Sequence, residues 1–356
     1  YNKEDIPIPF EEYSKFKPLA EDILEIKLKE NFSINNKIKV SQFARSPVNF
    51  GDKYYNIIKN QKNIFAHLNC NLVSLNFEGN KIISAKFLNY ENKEKIIFAK
   101  EFIFSMGSFE NIRMLKFFFD KSNNPWNKLL GKNWTDHSNA FYLGNFILFN
   151  HEAVFKNNVL SVGLALDEQI LKKYDLPQAN LHFLANHNIK CDLPDFILKN
   201  FKSFDKFANC SGEINSNWDN FTNGKHNSLE LSKYSKCQFG IPKLSVYNAE
   251  DGFDSDKIRE YLVQLGRLFA ELDIGRIRIS EVIEQYGWSY HQMMGSPIGS
   301  SPNNGVVDEN LKVFGIDNLY TVGGNVFNKQ LSGKNPTFMI TILALRLSNY
   351  LNNLQT

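Results

Sequence analysis

The stretch NPTFMITILALRLSNYL, residues 335 to 351, contributes most to a prediction of the fold. Its strongly apolar composition predicts a buried helix from Phe338 to about Leu351. Asn335 is a good helix cap, and Pro336 suits the first helical position, where its missing N–H removes no helix hydrogen bond. The positive end of this helix should face the residues before it and could stabilise an anion there. An ordinary buried helix with a good cap is the alternative interpretation.

A loop of residues 291–304, rich in glycine and proline, precedes two strand-like pieces at 305–307 and 319–322. Its first residue, His291, has a side chain whose ordinary pKa of about 6.5 suits a base that takes a proton from a hydroxyl group. A single histidine beside a tyrosine and two methionines is, however, more often packed than catalytic. The residue types alone leave both interpretations open.

The rest of the chain alternates between helical and strand patterns. Apolar spacing predicts amphipathic helices over residues 10–27, 109–119 and 254–272, whereas 32–51 should be irregular. Glu78-Gly79-Asn80 predicts a hairpin turn within a meander that ends near Ser105. The predicted strands are 64–68, 72–77, 82–88, 95–99, 102–105, 141–149, 160–165, 180–184, 229–233, 243–247 and 276–280.

The composition narrows the class of protein. The chain has 356 residues, of which 43% are hydrophobic and 22% charged, with a net charge of +3. No block of like charge suggests nucleic acid or an anionic membrane surface, and no apolar run reaches the ~20 residues of a membrane span. The four cysteines show no C-x-x-C spacing, so we expect neither a metal site nor a disulfide scaffold. A cytoplasmic location and a small-molecule partner are the default expectations.

Several segments resemble signature segments of the glucose–methanol–choline (GMC) oxidoreductase family. YHQMMGSPIG at 290–299 resembles the family's H-x-M-G-T-x-R-M-G, and GVVD at 305–308, LKVFGIDNLY at 311–320, VGGNVF at 322–327 and NPT at 335–337 follow in the family's order. Earlier parts of the chain match as well: 5–26, AKEFIFSMGSFENIRML at 99–115, and LGKNWTDH at 130–137. The Glu-Asn before Arg113 and the asparagine at 335 are most similar to bacterial sugar oxidoreductases and pyranose oxidase.

This resemblance implies an α+β fold. It divides the chain into the remainder of an α/β FAD-binding domain, residues 61–117 and 285–356, and an antiparallel-sheet substrate-binding (cap) domain, residues 1–60 and 118–284. His291 would remove the hydroxyl proton while hydride passes to flavin N5, and Asn335, 44 residues later, would hold the same oxygen. The resemblance assigns FAD contacts to Leu72, Val73, Ser105, Gly107, Gly323, Gly324, Asn325, Pro336, Thr337 and Phe338.

Two departures from the family pattern qualify this expectation. Met294 stands where the family has glycine and Pro297 where arginine is usual, which could narrow the site or alter substrate choice. No strand is followed by G-x-G-x-x-G, the phosphate-binding loop that the family places before the position of Tyr1. We therefore expect an amino-terminal segment or a partner chain to be required for FAD binding.

The predicted function is thus FAD-dependent oxidation of a sugar or other alcohol at a CH–OH group. The first alternative is a truncated, non-catalytic remnant that binds carbohydrate or a partner without flavin. The second is a non-redox relative that uses flavin only structurally. Asp136-His137 is expected to be a structural turn near the cofactor, and His182 and His187 to have surface or structural roles.

Overall fold

The computed structural model describes residues 6–119, 124–149, 153–155, 161–185, 211–219, 224–249, 254–285 and 287–354, so His187 lies outside the described residues. The helices are α1 Phe10–Leu24, α2 Phe50–Asn60, α3 Ser108–Phe119, α4 Glu168–Tyr174, α5 Ser255–Glu271 and α6 Thr337–Leu354. The strands are β1 Phe32–Ile34, β2 Ile38–Gln42, β3 Asn71–Glu78, β4 Lys81–Leu88, β5 Glu94–Phe98, β6 Phe102–Phe104, β7 Ser138–Leu148, β8 Ser161–Leu166, β9 Ala179–Ala185, β10 Ser211–Trp218, β11 Ser228–Lys236, β12 Pro242–Tyr247, β13 Gly275–Ile279 and β14 Leu319–Thr321.

A seven-stranded antiparallel sheet, in the order β1-β2-β8-β9-β10-β7-β13, forms one half of the fold. Side chains alternate between its two faces. On β9, Leu181 and Phe183 are fully buried in one core with Leu265 of α5, whereas Asn180 and His182 line a cavity. One face of the sheet is therefore an apolar support and the other is polar.

A second core surrounds α6. The helices α1 and α3 pack into it together with the three-stranded sheet β3-β4-β5 and the parallel pair β6–β14. The rings of Tyr13 on α1 and Phe338 on α6 lie 6.4 Å apart, and Arg346 of α6 pairs with the Glu12 carboxylate. This core fixes the start of α6 against the rest of the chain.

The expected fold class is confirmed, and so are several predicted elements. The buried helix begins at Thr337 and runs to Leu354, and α1, α3 and α5 lie within a few residues of their predicted bounds. Gly79 and Asn80 form the turn between β3 and β4, with Gly79 at φ +58°. The division into two domains stays a prediction. No helix in the described part of the chain is long and apolar enough to cross a membrane.

Other predicted elements were wrong, because strands depend on partners that local sequence does not reveal. Residues 64–68 form no strand, and Phe65 and Leu68 are 77% and 83% exposed. The stretch 32–51, expected to be irregular, contains β1 and β2, since Ile38 and Val40 are buried where β2 pairs with β8. The strand β6, expected in the meander, pairs instead with β14. The predicted piece 305–307 makes only isolated bridges at Val307.

Candidate active site

The cap of helix α6 brings the two predicted catalytic residues together. Asn335 Oδ1 accepts a hydrogen bond from the Thr337 N–H at 2.8 Å, and Asn335 Nδ2 lies 2.9 Å from His291 Nε2. Because the cap engages the amide oxygen, the amide nitrogen must face the histidine. An amide nitrogen only donates, so His291 Nε2 is the acceptor and carries no proton in this arrangement.

The imidazole of His291 is neutral at ordinary pH. Burial lowers its pKa to about 4, and nearby His137 and His182 lower it further in the same direction. A neutral imidazole with an unprotonated Nε2 is the form that can take a proton from a hydroxyl group. Its Nδ1 atom is buried and has no hydrogen-bond partner in the described structure.

The loop that carries His291 is held by residues 135–137. Asp136 Oδ1 accepts the His291 N–H at 2.8 Å, and Thr135 and Met293 exchange backbone hydrogen bonds of 2.9 and 2.8 Å. Burial raises the pKa of Asp136 to about 6, although the backbone N–H groups that it accepts favour its ionised form. The carboxyl group thus fixes the histidine backbone.

One cavity, of about 630 Å³, lies on the glycine side of the pair. Its wall contains the backbone of Gly107, Gly323 and Gly324 and the first residues of α6. A Cβ at Gly324 would lie 2.6 Å from the Gln292 carbonyl oxygen, so the chain passes closely here. None of the described residues that line this cavity carries a charge at neutral pH.

A second cavity, of about 730 Å³, lies on the sheet side of the pair. The polar face of the sheet forms its floor, with Asn180 and His182 of β9 beside Asn217 and Asn215 of β10 in register. Burial is the main cause of the low pKa of His182, about 4, and the positive charge of Arg45 lowers it further. The charged side chains among its described lining residues are all cationic: Lys29, Arg45 and Lys334.

The pair lies where the two cavities meet, because His291, Asn335 and Thr337 line both. Other residues named from the sequence line only the first cavity: Ser105, Gly107, Gly323, Gly324 and Pro336. The geometry therefore places a proton acceptor and an amide donor at the boundary between a glycine-walled space and a second space whose charged side chains are cationic.

The remaining predicted residues lie elsewhere. Asn325 is fully buried, where its amide accepts from Asn111 at 2.9 Å and donates to Thr321 at 3.3 Å, so it supports the glycine turn from behind. Phe338 lines the second cavity and not the first. Leu72 and Val73 are half-buried on β3, pack against the α6 core and line neither cavity.

Some residues of the first cavity were not predicted from the sequence. Ile340 and Ala344 line it together with Pro336. Pro336, Ile340 and Ala344 follow one another at intervals of four residues, which places them on one face of the helix. This spacing is a sequence signal from which Ile340 and Ala344 could have been predicted. Ser108, whose hydroxyl donates to the Gln292 carbonyl at 2.7 Å, carries no such signal. Within the described residues there is no cluster of three potential metal-ligating side chains.

Comparison with known proteins agrees with this geometry. Residues 225–344 match a family model described as GMC oxidoreductase. Over this carboxyl-terminal part the chain is therefore similar to the GMC oxidoreductase family. A cholesterol oxidase of Acinetobacter baumannii is 41% identical over 73 residues, which cover 20% of this chain and 13% of that protein.

Solved structures share the fold of this chain. The pyridoxine 4-oxidase from Mesorbium loti superposes with a TM-score of 0.56 at 13% identity, covering 88% of this chain and 64% of that structure. The formate oxidase of Aspergillus oryzae gives 0.55 at 13% identity, covering 96% and 70%. The chain thus spans less than two thirds of the pyridoxine 4-oxidase. At this identity the similarity concerns the fold.

Proposed function

We propose that this chain carries the catalytic residues of a FAD-dependent oxidoreductase that oxidises a CH–OH group, with His291 as base and Asn335 as positioning donor. The observation that carries the proposal is the 2.9 Å contact between His291 Nε2 and Asn335 Nδ2 at the meeting point of the two cavities. An alcohol hydroxyl that replaces this direct contact can donate to Nε2 and accept from Nδ2.

The first cavity fits the flavin end of FAD. Gly107, Gly323 and Gly324 let the backbone approach a ligand closely, and the start of α6 offers the positive end of a helix dipole to an electron-rich ring edge. The formate oxidase structure concerns the effect of a mutation on FAD modification in that protein, which supports the same cofactor here. When bound, FAD would accept the two electrons removed from the alcohol carbon. Leu72 and Val73, outside both cavities, remain proposed adenine contacts on the resemblance alone.

The residues of the chain would then move the proton. His291 Nε2 accepts the hydroxyl proton, while an N–H of Asn335 Nδ2 donates to the same oxygen as negative charge develops on it. Because burial disfavours the imidazolium ion, His291 would release this proton readily once the product leaves. Phe338, which lines the second cavity, would limit the space available to the alcohol.

The second cavity supports a hydroxylated substrate. Asn180, Asn215 and Asn217 present amide groups that can both donate to and accept from hydroxyl groups. A sugar is one substrate with this chemistry, and Leu24, Ile26 and Phe43 add apolar surface to the same wall.

Anaerobic mixing of alcohols with the complete, FAD-loaded protein tests the proposal. Bleaching of the flavin absorbance is expected, and His291→Ala should slow it by roughly 10²–10⁴-fold without loss of bound FAD. His226→Ala, at an exposed histidine, is the matched control. Unchanged bleaching in His291→Ala would contradict the role of the base. A complete protein that takes up no FAD would instead favour the non-catalytic binding alternative.

A further inference from the structure

Residues Thr135–His137, here called the bridging segment, lie between the two loops that carry the proposed pair. Toward His291, the contacts are the paired backbone hydrogen bonds of Thr135 with Met293 and the 2.8 Å bond from the His291 N–H to Asp136 Oδ1. The Ser289 N–H also donates to the His137 carbonyl at 3.0 Å. The main chain before and after His291 is therefore fixed at several points.

Toward Asn335, the same segment uses its side chains. His137 Nε2 donates to the carbonyl of Lys334, directly before Asn335, at 3.1 Å. The Thr135 hydroxyl donates to Gln330 Oε1 at 3.0 Å, near the start of the turn that leads into α6. One short segment thus contacts both loops, which are separated by 44 residues in sequence.

Asp219, next to the end of β10, completes the contact with the second loop. Its carboxylate accepts the Gly333 N–H at 2.7 Å and the Ser332 N–H at 3.0 Å. Asp219 Oδ1 also lies 3.2 Å from His137 Nδ1, although the two atoms are not aligned as a hydrogen bond. Asp219 and His137 together hold three consecutive backbone groups before Asn335.

Burial makes this arrangement costly to disrupt. Thr135 and His137 are fully buried, and Asp136 is 2% exposed. A buried polar group that loses its partner destabilises a protein, so these contacts resist opening. The side-chain contacts described above join this segment to residues more than 80 positions away in sequence. The exception is a weak 3.4 Å contact between the Thr135 hydroxyl and the carbonyl of the adjacent Asp136. The contacts therefore join distant loops and do not merely close a local turn.

We propose that the bridging segment and Asp219 set the separation of His291 Nε2 and Asn335 Nδ2, with His137 and Asp219 as positioning residues. This inference rests on the proposed function for its effect on catalysis. A displacement of about 1 Å in a catalytic group can lower a rate by ~10²-fold. The ring of His137 also meets the ring of His291 edge-on, with centroids 5.4 Å apart, so a change at residue 137 reaches the base by a second route.

The test uses His137→Leu, which removes the donor to Lys334, and the milder His137→Gln and Thr135→Val. Ring ¹⁵N signals of His291 report the hydrogen bond at Nε2, and kcat and KM of alcohol oxidation report the consequence. We expect His137→Leu to shift the Nε2 signal and lower kcat by ~10²-fold with a smaller change in KM, and His137→Gln to recover part of both. Tyr261→Phe, which removes the hydroxyl that accepts the Leu166 N–H in the other core, is the matched structural control.

The outcomes separate the inference from the proposed function. If His137→Leu folds and leaves both the Nε2 signal and kcat unchanged, the loops hold themselves and the inference is wrong. If His137→Leu does not fold, His137→Gln and Thr135→Val decide the matter by the same two measurements. The unmodified protein could oxidise no alcohol while the Nε2 signal of His291 still shifts in the His137 variants and not in Tyr261→Phe. In that case the positioning role is supported and the proposed function is wrong. A shift of equal size in Tyr261→Phe would overturn the inference.

Discussion

Substitution of Asn335 separates its two structural roles. Asn335→Asp keeps an oxygen for the Thr337 N–H, which the native side chain accepts at 2.8 Å, and places a second oxygen where Nδ2 lay, 2.9 Å from His291 Nε2. The cap of α6 should survive, and the negative charge at a helix start should add about 0.3–1 kcal/mol of stability. Asn335→Ala, in contrast, loses the cap and should cost about 1 kcal/mol.

The effect of the new carboxylate on His291 is larger. An opposite charge at this distance favours the imidazolium ion and should raise the pKa of His291 by roughly 1–3 from its value of about 4. That rise corresponds to about 1.4–4 kcal/mol of interaction between the two side chains. Asn335→Ala should produce no comparable rise, because it adds no charge.

A histidine-selective NMR titration of this chain, with urea unfolding alongside, measures both effects without any cofactor. In the native protein His291 should stay neutral from pH 8 to about pH 5, whereas in Asn335→Asp it should titrate within that range. His67, which is exposed, serves as the internal reference. If His291 keeps its native titration in Asn335→Asp while α6 remains stable, the two side chains do not face each other and the assignment of the pair is refuted.

Three further predictions follow from the site. The free energy of unfolding should fall by a few kcal/mol between pH 7 and pH 4.5, because His182 and His291 have pKa values of about 4 in the folded state against an ordinary 6.5, so the unfolded state binds more protons. The pKa of Asp136, raised to about 6 in the folded state, offsets part of this loss. Urea unfolding at the two pH values checks the sign. Gly324→Ala should weaken FAD binding at least ~10-fold, because the added Cβ would lie 2.6 Å from the Gln292 carbonyl oxygen and 3.0 Å from the Ser108 hydroxyl oxygen. A fluorescence titration that shows native FAD affinity in this variant would contradict the prediction. An alcohol with a carboxylate should have a lower KM than its uncharged analogue, because the charged side chains among the described residues of the second cavity are all cationic. Arg45→Gln should remove the difference, and equal KM values in the native protein would contradict the prediction.

Local chemistry explains which parts of the fold the sequence could predict. The start of α6 was predictable because Asn335 and Pro336 are favoured there for reasons internal to one turn of helix. The strand β6 was placed in the wrong sheet, since its partner β14 lies more than 200 residues later. Residues 64–68 have strand-like side chains but no partner strand, and high local propensity cannot compensate for that.

The site was predictable to a different degree. A single histidine is not distinctive, so His291 and Asn335 were singled out by the order and spacing of the family motifs, and the structure then brings them to 2.9 Å. Asp219 could not be found in this way, because its partners are the backbone N–H groups of Ser332 and Gly333, more than 100 residues away, and backbone groups leave no mark in a sequence. His137 was expected to be structural, and its contact with the Lys334 carbonyl appears only in three dimensions.

A crystal structure of the complete protein with FAD and a slowly reacting alcohol tests the central claim most directly. We expect the flavin ring to occupy the cavity bounded by Gly107, Gly323 and Gly324, and the alcohol to lie over the polar face of the sheet. Its reacting hydroxyl oxygen should lie about 2.6–3.2 Å from both His291 Nε2 and Asn335 Nδ2. A flavin ring outside that cavity, or a hydroxyl oxygen more than ~4 Å from both nitrogen atoms, would contradict the proposed roles of the pair.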